Sequence, residues 1–510
     1  MKGITLFILL LLCSGLSAQV DLRMKLQDYV QQFNAADDEA VVNMIANKES
    51  AGWLEANIPL LDCPDPAIEK IYYFRWWSFR KHIKQTPEGT IVTEFITPVK
   101  HAGKYNSISC ALGHHLYEGR WLKGHRFLQE YVDFWLYHAD KGQSRPRFHQ
   151  FSSWLPDALL AYYMVSGDKE YLVSRLADLD KDYETWEKER QLENGLFWQH
   201  DVKDGMEESV SGGRREENMR PTINSYMYGN AKALSSIARL AGNAALAEKY
   251  TGKADRLQAL LVDSLWDSSD LFFKTRMEKG GLHPAREAIG FIPWYFHAVP
   301  DKKIYARAWE QVKDTAGFKA PWGLTTAERR EPTFRTRGSG HGCEWDGAIW
   351  PFATSQTLRG MANLLTDYKQ KGAIRPADFY EEVLQYAKAH VMYGKPYIGE
   401  YQDERTGEWL KGDDPRSKFY NHSTFADIVI QDLIGVKPTM DDRFTLSPLI
   451  PAVRWPYFAL QHLSYKGRQV DIFWDEEGSR YGQGKGLSVF IDGKRVAHSR
   501  KLKPITVNLR

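Results

Sequence analysis

From residue 64 to 436 the apolar positions recur every three or four residues, the spacing of one helical face. The segment RPTINSYMYGNAKALSSIARLAGN shows the pattern. Ile223, Met227, Ala231, Leu234, Ile237 and Ala241 share a face, Pro221 suits a first turn, and Gly242 suits the end. PADFYEEVLQYAKAHV repeats it with Phe379, Val383, Tyr386 and His390. About a dozen such segments, joined by loops of unequal length, predict stacked helical hairpins. Similarity between the hairpins is weak, so a solenoid of short repeats is not expected.

The period changes after about residue 437. RFTLSPLIP, YFALQHLSY, RQVDIFWD and GLSVFIDGKRVAH alternate apolar with polar, broken by Pro, Gly and the turn signal DGK. This predicts a small antiparallel β domain over 437–510. Residues 19–62 are amphipathic and then aromatic and proline-rich, which suggests an N-terminal extension packed on a helical body over 63–436. The first 18 residues read as a secretory signal peptide cut after Ala18: a lysine, an apolar run and the small pair Ser17-Ala18. Leu12 is too bulky before Cys13 for a lipoprotein signal. The expectation is a periplasmic or extracellular protein without a membrane span.

Three connections are long and rich in glycine, aromatic and charged residues: 192–220, 320–347 and 394–422. Long loops in a compact domain tend to carry function. Each joins carboxylates to rings. The first, with the stretch DGMEES, holds Asp204, Glu207 and Glu208. The second is GCEWDGAIWPF, with Glu344 and Asp346 between Trp345 and Trp350. The third is YIGEYQDERTGEWLKGDD, with Glu400, Asp403, Glu404 and Glu408. Two carboxyl groups suit glycoside hydrolysis, one donating a proton to the leaving oxygen and the other activating water or attacking carbon. Walls of Trp and Tyr suit a sugar and raise an acid's pKa by desolvation.

Composition narrows the classes. The formal net charge of the 510 residues is +2, which offers no global field for nucleic acid or a membrane surface. Aromatic residues make up 13% of the chain, enough to line a sugar pocket as well as a core. After the signal peptide three cysteines remain, Cys63, Cys110 and Cys343, widely spaced and expected as buried free thiols. No metal or nucleotide motif is present, and the adjacent His114-His115 cannot share one helical face as ligands, so no cofactor and no metal are expected. YYFRWWSFRKH, residues 72 to 82, reads mainly as core, with Arg75, Trp76 and Arg80 as possible pocket residues. In EFITPVKHAGKYNSIS, residues 94 to 109, Lys100, His101, Lys104 and Asn106 are either sugar contacts or surface residues. Asp157 suits a helix N-terminus.

Four segments resemble those of six-hairpin glycosidases of the mannosylglycerate hydrolase and processing α-glucosidase type. HDVKDGMEES is similar to that family's acid loop, a Gly-Met-Asp-Asn-Ser pattern, and RPTINSYMYGNAKALSSIA to the helix that follows it. CEWDGAIWPF resembles a Tyr-Trp-Arg-Gly-Pro-Val-Trp pocket segment. GEYQDERTGEW with NHSTFADIVIQDLIG resembles the base loop and closing helix. The resemblance spans most of 64–436 and implies an (α/α)6 toroid, here with the small C-terminal antiparallel β domain. By position it implies Glu207 as general acid and Glu400 as general base of an inverting exo-glycosidase acting on an oligo- or polysaccharide, the carboxyls ~6.5–9.5 Å apart. Trp345, Asp346, Trp350, Trp198, Tyr401 and Asp204 are the expected sugar contacts. Two positions depart from the family pattern. Its acid is Asp, leaving Glu208 and Asp204 as alternatives to Glu207. Its Arg is replaced by Asp346, which argues against an acidic substrate. A polysaccharide lyase on the same toroid and a non-catalytic glycan-binding protein are the competing readings; the oligomeric state is open.

Overall fold

The computed structural model describes residues 21–139, 148–336, 343–451 and 453–509. The signal-peptide segment lies outside the described residues.

The helical body is built of outer and inner elements in alternation. The outer ones are Pro66–Lys81, Arg126–Asp133 with its π-helical continuation Phe134–His138, Leu176–Arg190, Ala244–Leu265, Lys303–Val312 and Pro376–Ala389. Each is followed by an inner one: Leu112–Gly119, Leu155–Ser166, Pro221–Leu240, Ile292–Tyr295, Pro351–Asp367 and the π-helical segment Ile428–Leu433. Side-chain patterning explains the division. Ala244–Leu265 buries only Ala247, Tyr250, Ala254, Leu257, Leu261 and Leu265, a single stripe that leaves its other face to solvent. Leu112–Gly119 is buried at every position, and Pro351–Asp367 from Pro351 through Leu365. Helices buried all round must stand inside a ring of others. Pro221–Leu240 ends as its sequence suggests, with Ala241 as cap and Gly242 at φ +77°, a left-handed position that releases the last turn.

Polar bonds close the ring. Glu118, on the first inner helix, accepts the backbone N–H groups of Phe425, Ala426 and Asp427 at 2.9–3.2 Å. These are donors that a helix start leaves without partners, so the carboxylate caps the last inner element from across the ring. Asp427 in turn accepts from Arg120 at 2.8 Å, from the Trp121 indole at 2.6 Å and from Arg359. On the outer layer, Arg75 bonds Tyr386 at 3.2 Å and the Ser423 carbonyl at 2.6 Å, joining the first outer helix to the last. Arg75, Trp76 and Arg80 are therefore interior residues; Arg80 bonds the Ile45 carbonyl and Asn47. His115 bonds Tyr131 and the Asn421 carbonyl, and His114 packs edge-on against Trp154 and Phe352, both within the core. Asp157 accepts from Tyr117 at 2.7 Å.

The C-terminal part is antiparallel as its alternation requires. Tyr457–Tyr465, Arg468–Asp475, Gly486–Ile491 and Lys494–Ser499 pair in order, with positive φ at Lys466-Gly467 and Asp492-Gly493 in the two-residue turns. Val436–Pro438, Arg443–Leu446 and Ile505–Asn508 make a second, three-stranded sheet. One strand comes from elsewhere: Leu60–Asp62, at the end of the N-terminal segment, pairs with Tyr457–Tyr465 in the register Leu61 opposite Leu460. The extension is thus a strand of the β layer as well as two helices, Leu22–Ala36 and Asn47–Asn57, beside the toroid. Asp62 pins the junction, its buried carboxylate accepting from Arg480, Tyr481 and Lys25. Burial alone would raise this acid, but those three donors hold it below the ordinary carboxylate range.

Candidate active site

Because outer and inner elements alternate, every outer-to-inner connection emerges on one rim. Residues 82–111, 191–220, 313–350 and 390–427 are such connections, and backbone bonds stitch them together. Trp345 N–H donates to the Glu207 carbonyl at 3.4 Å, Ile349 and Gln402 exchange bonds at 3.0 and 2.9 Å, and Asn421 N–H donates to the Glu94 carbonyl at 3.0 Å.

The Glu207 loop is shaped by its own acids. The Asp201 carboxylate accepts Val202 N–H at 2.6 Å and Glu208 N–H at 3.1 Å, and its carbonyl accepts Met206 N–H at 3.0 Å. Met206 is fully buried as an anchor. Gly205 has φ +71°, and a Cβ there would stand 3.2 Å from Cys110 Cβ, so both conformation and space call for glycine. Asp204 is corrected from the expected set of sugar contacts. Its carboxylate is buried and committed to Ser152 at 2.7 Å, Arg220 at 2.7 Å and Thr222, tying the loop to the head of helix Pro221–Leu240. Glu208 forms an ion pair with Arg335 at 2.7 Å. Glu207 is the half-buried acid of the three that interacts with Glu400. Desolvation first, then the charges of Glu400 and Asp201, push it up to about 7.

Glu400 is buried and held by a short turn. Asp414 accepts Arg416 N–H at 3.0 Å and starts the turn Pro415–Ser417. That turn presents the Arg416 guanidinium to both Glu400 oxygens at 3.0 and 2.9 Å and the Ser417 hydroxyl to Glu400 N–H at 3.0 Å. Lys411 stands 4.0 Å from the same carboxylate. Burial raises Glu400 above the ordinary range, and Arg416 and Lys411 oppose the rise by favouring the anion. Cys343 lies between the two acids: its Sγ donates to Glu400 Oε1 at 3.6 Å and also bonds Glu207. Burial and the two carboxylates hold this thiol protonated. Cys63, Cys110 and Cys343 are all free.

The aromatic residues divide. Trp345 and Trp350 stack at 4.4 Å, and Trp350 and Tyr401 at 4.8 Å. Trp350, an expected sugar contact, is the middle ring, with both faces covered by the other two and 2% exposure. The triple stack is a floor joining the Trp345 and Glu400 loops. The Trp345 indole N–H is buried and has no hydrogen-bond partner among the described residues. Asp346 pairs with Arg335 at 2.9 Å; desolvation outweighs this cation and raises the acid to about 6. Trp198 packs against His200 and beneath Arg190, 4.7 Å from its ring centroid. Asn106, at φ +62°, is a loop staple, its side chain bonding Val99 N–H and the carbonyls of Phe95 and Thr97. His101 packs edge-on against Phe95 and feels the Arg416 charge.

Sequence reasoning missed Glu94, Arg416 and Cys343 as members of this cluster. Glu94 is 2% exposed, accepts from Cys110 Sγ at 3.3 Å and from Tyr420, and lies in the field of both Glu400 and Glu207. The available signal was an acid inside the apolar run IVTEFI, where a carboxylate has to have a reason. No group of three or more His, Cys, Asp or Glu with metal-holding geometry occurs among the described residues.

The family model of mannosylglycerate hydrolase MGH1-like glycoside hydrolase domains matches residues 104–423, and that of the glycosyl hydrolase family 65 C-terminal domain matches 439–498. Among solved structures, one named "Sialidase" is 47% identical over 96% of this chain, with a TM-score of 0.92. The chain spans 45% of that protein's length. A GH63 mannosylglycerate hydrolase from Thermus thermophilus, in complex with glucose, is 14% identical over 70% of this chain and 98% of its own, with a TM-score of 0.52. A GH78 family rhamnosidase of Bacillus sp. GL1 is 10% identical over 82% of this chain and 40% of its own, with a TM-score of 0.57. The last two share the helical toroid. With its four rim loops, its toroid and its β domain so matched, the chain belongs to the mannosylglycerate hydrolase MGH1-like family of glycoside hydrolases.

Proposed function

We propose that the chain is an exported, inverting exo-glycosidase with Glu207 as general acid and Glu400 as general base. The observation that carries this reading is the unequal treatment of two acids that share one thiol. Glu207 is raised to about 7 by burial and by its neighbours' charge, while Glu400 is gripped as an anion by Arg416. Burial raises both acids, but Glu400 is paired with a cation that favours its anion, and this difference assigns the roles. Glu207 donates its proton to the glycosidic oxygen as the bond from that oxygen to the anomeric carbon breaks. Water attacks the carbon from the opposite face and passes a proton to Glu400.

A uronate lyase needs a cation to neutralise its substrate, and one candidate, Arg416, is committed to Glu400. The names borne by the structural relatives concern different sugars, so the glycone is sought by screening nitrophenyl glycosides and natural oligosaccharides for sugar release. On the substrate found, Glu207→Gln and Glu400→Gln each lower kcat by about 10²–10⁴-fold with the fold retained. Near-normal activity of either variant overturns the assignment. Proton NMR of the first-released anomer shows inverted configuration; retention rules out this mechanism. Export is tested by the mass of the protein recovered outside the cytoplasm, which begins at Gln19 if the signal peptide is cut after Ala18.

A further inference from the structure

Three carboxyl groups, not two, converge where the rim loops meet, and the reaction uses only two. Glu94 sits on another rim loop, 82–111, in contact with the loops that supply Glu207 and Glu400. Its backbone carbonyl takes the N–H of Asn421, which fixes it against the Glu400 loop. Its side chain is flanked by the Cys110 thiol at 3.3 Å and the Tyr420 hydroxyl. The Tyr420 ring is wedged edge-on between Phe95 at 4.8 Å and His422 at 4.2 Å, so this partner cannot swing away. Cys110 abuts Gly205 in the Glu207 loop, so one side chain braces Glu94 and the acid loop together.

Burying a third carboxyl beside two others is costly and adds nothing to the core. Its partners are also weak for a structural acid. No Arg or Lys pairs with it among the described residues, whereas the structural acids Asp62, Asp204 and Asp427 each hold one. Glu400 and Glu207 are themselves among the groups that act on its charge. A carboxyl fixed by a thiol and a phenol, and near enough to Glu207 and Glu400 to feel both charges, is arranged to meet a polar group beside them.

We propose that Glu94 is a specificity-determining residue that hydrogen-bonds one ring hydroxyl of the sugar held between Glu207 and Glu400. This rests on the glycosidase reading above. The bond orients the glycone so that its anomeric carbon faces both acids, and it selects for sugars bearing that hydroxyl. Desolvation holds Glu94 up to about 8, so at neutral pH it is a carboxylic acid able to donate as well as accept.

The test is binding rather than turnover. Free glucose, galactose, mannose, rhamnose, arabinose and xylose are titrated calorimetrically against the full chain. Wild type, Glu94→Met and Glu94→Gln are compared, with thermal melts recorded for each. Met keeps length and volume but removes hydrogen bonding, and Gln restores it. The sugar that binds is then replaced by its single-deoxy forms. The expected result is about tenfold weaker binding by the Met variant, partial recovery by the Gln variant, and one deoxy sugar that binds wild type about tenfold more weakly yet no longer differs from its parent on the Met variant. Equal affinity in wild type and variants, or a deoxy penalty that survives Glu94→Met, overturns the role of Glu94 and leaves the glycosidase reading standing. If the Met variant fails to fold, the loss of that same penalty in Glu94→Gln decides. If wild type binds none of the six sugars at millimolar concentration, the sugar-pocket reading falls and the Glu94 proposal falls with it.

Discussion

Glu207 and Glu400 are chemically alike and have been made different by their neighbours. Glu207 has no paired cation among the described residues and is lifted to about 7; at Glu400 one terminal nitrogen of Arg416 reaches both carboxylate oxygens. The pH profile follows from the signs. The acid works only while protonated, so kcat/KM falls tenfold per unit once pH rises past about 7. The base works only while ionised, so activity also falls on the acidic side, from a point above the ordinary glutamate range because burial raises Glu400. Arg416→Met removes the cation that favours the anion, and the acidic limb of kcat/KM then moves to higher pH; an unmoved limb denies Arg416 this role. The sequence singles out Glu207 by the Gly205-Met206 register and Glu400 by the GEYQDE loop, and their roles remain those proposed above. Arg416 is not singled out, because no rule of spacing says which of several nearby cations a short turn will aim at a carboxylate.

Among the elements, two contacts connect stability to the site. Gly205 occupies a left-handed position against Cys110, and Gly205→Ala costs about 1–2 kcal/mol from the conformation alone. The same substitution displaces Glu207, so kcat drops by about 10²-fold, more than the loss in stability explains; assays well below the melting temperature separate the two effects. Asp427 joins the closing element to the first and fifth inner helices through Arg120, Trp121 and Arg359. Asp427→Ala leaves the buried Arg120 guanidinium without its carboxylate, while Arg359 keeps Asp432 at 2.9 Å, and lowers the unfolding free energy in urea by about 3–5 kcal/mol. A loss below about 1 kcal/mol shows that the ring closes by apolar packing instead. Pro376–Ala389 was plain in the sequence, since an exposed face makes its apolar stripe visible, and the inner Pro221–Leu240 was marked by Pro221 and Gly242 at its ends. Leu112–Gly119 and Pro351–Asp367 were less plain, because an element buried on all sides has no such contrast.

Across the molecule, the N-terminal segment holds toroid and β layer together. Leu60–Asp62 is an edge strand of the C-terminal sheet, and the Asp62 carboxylate gathers Lys25, Arg480 and Tyr481. Asp62→Ala lowers the melting temperature and raises hydrogen exchange along Leu60–Asp62 and Tyr457–Tyr465, with the rim loops unaffected. Unchanged exchange there removes Asp62 as the pin.

The order of residues alone dictates which segments are helix and which are strand, because those depend on periodicities of three to four and of two along the chain. It also places acids and aromatic rings together in the long connections. Which of those residues meet is settled only by packing. Alternation of outer and inner helices brings the outer-to-inner connections to one rim, so Glu94 feels the charges of Glu207 and Glu400 from 113 and 306 positions away. Packing also covers both faces of Trp350 and ties Asp204 into a structural ion pair. Those outcomes depend on contacts between distant segments, and such contacts leave no period in the chain.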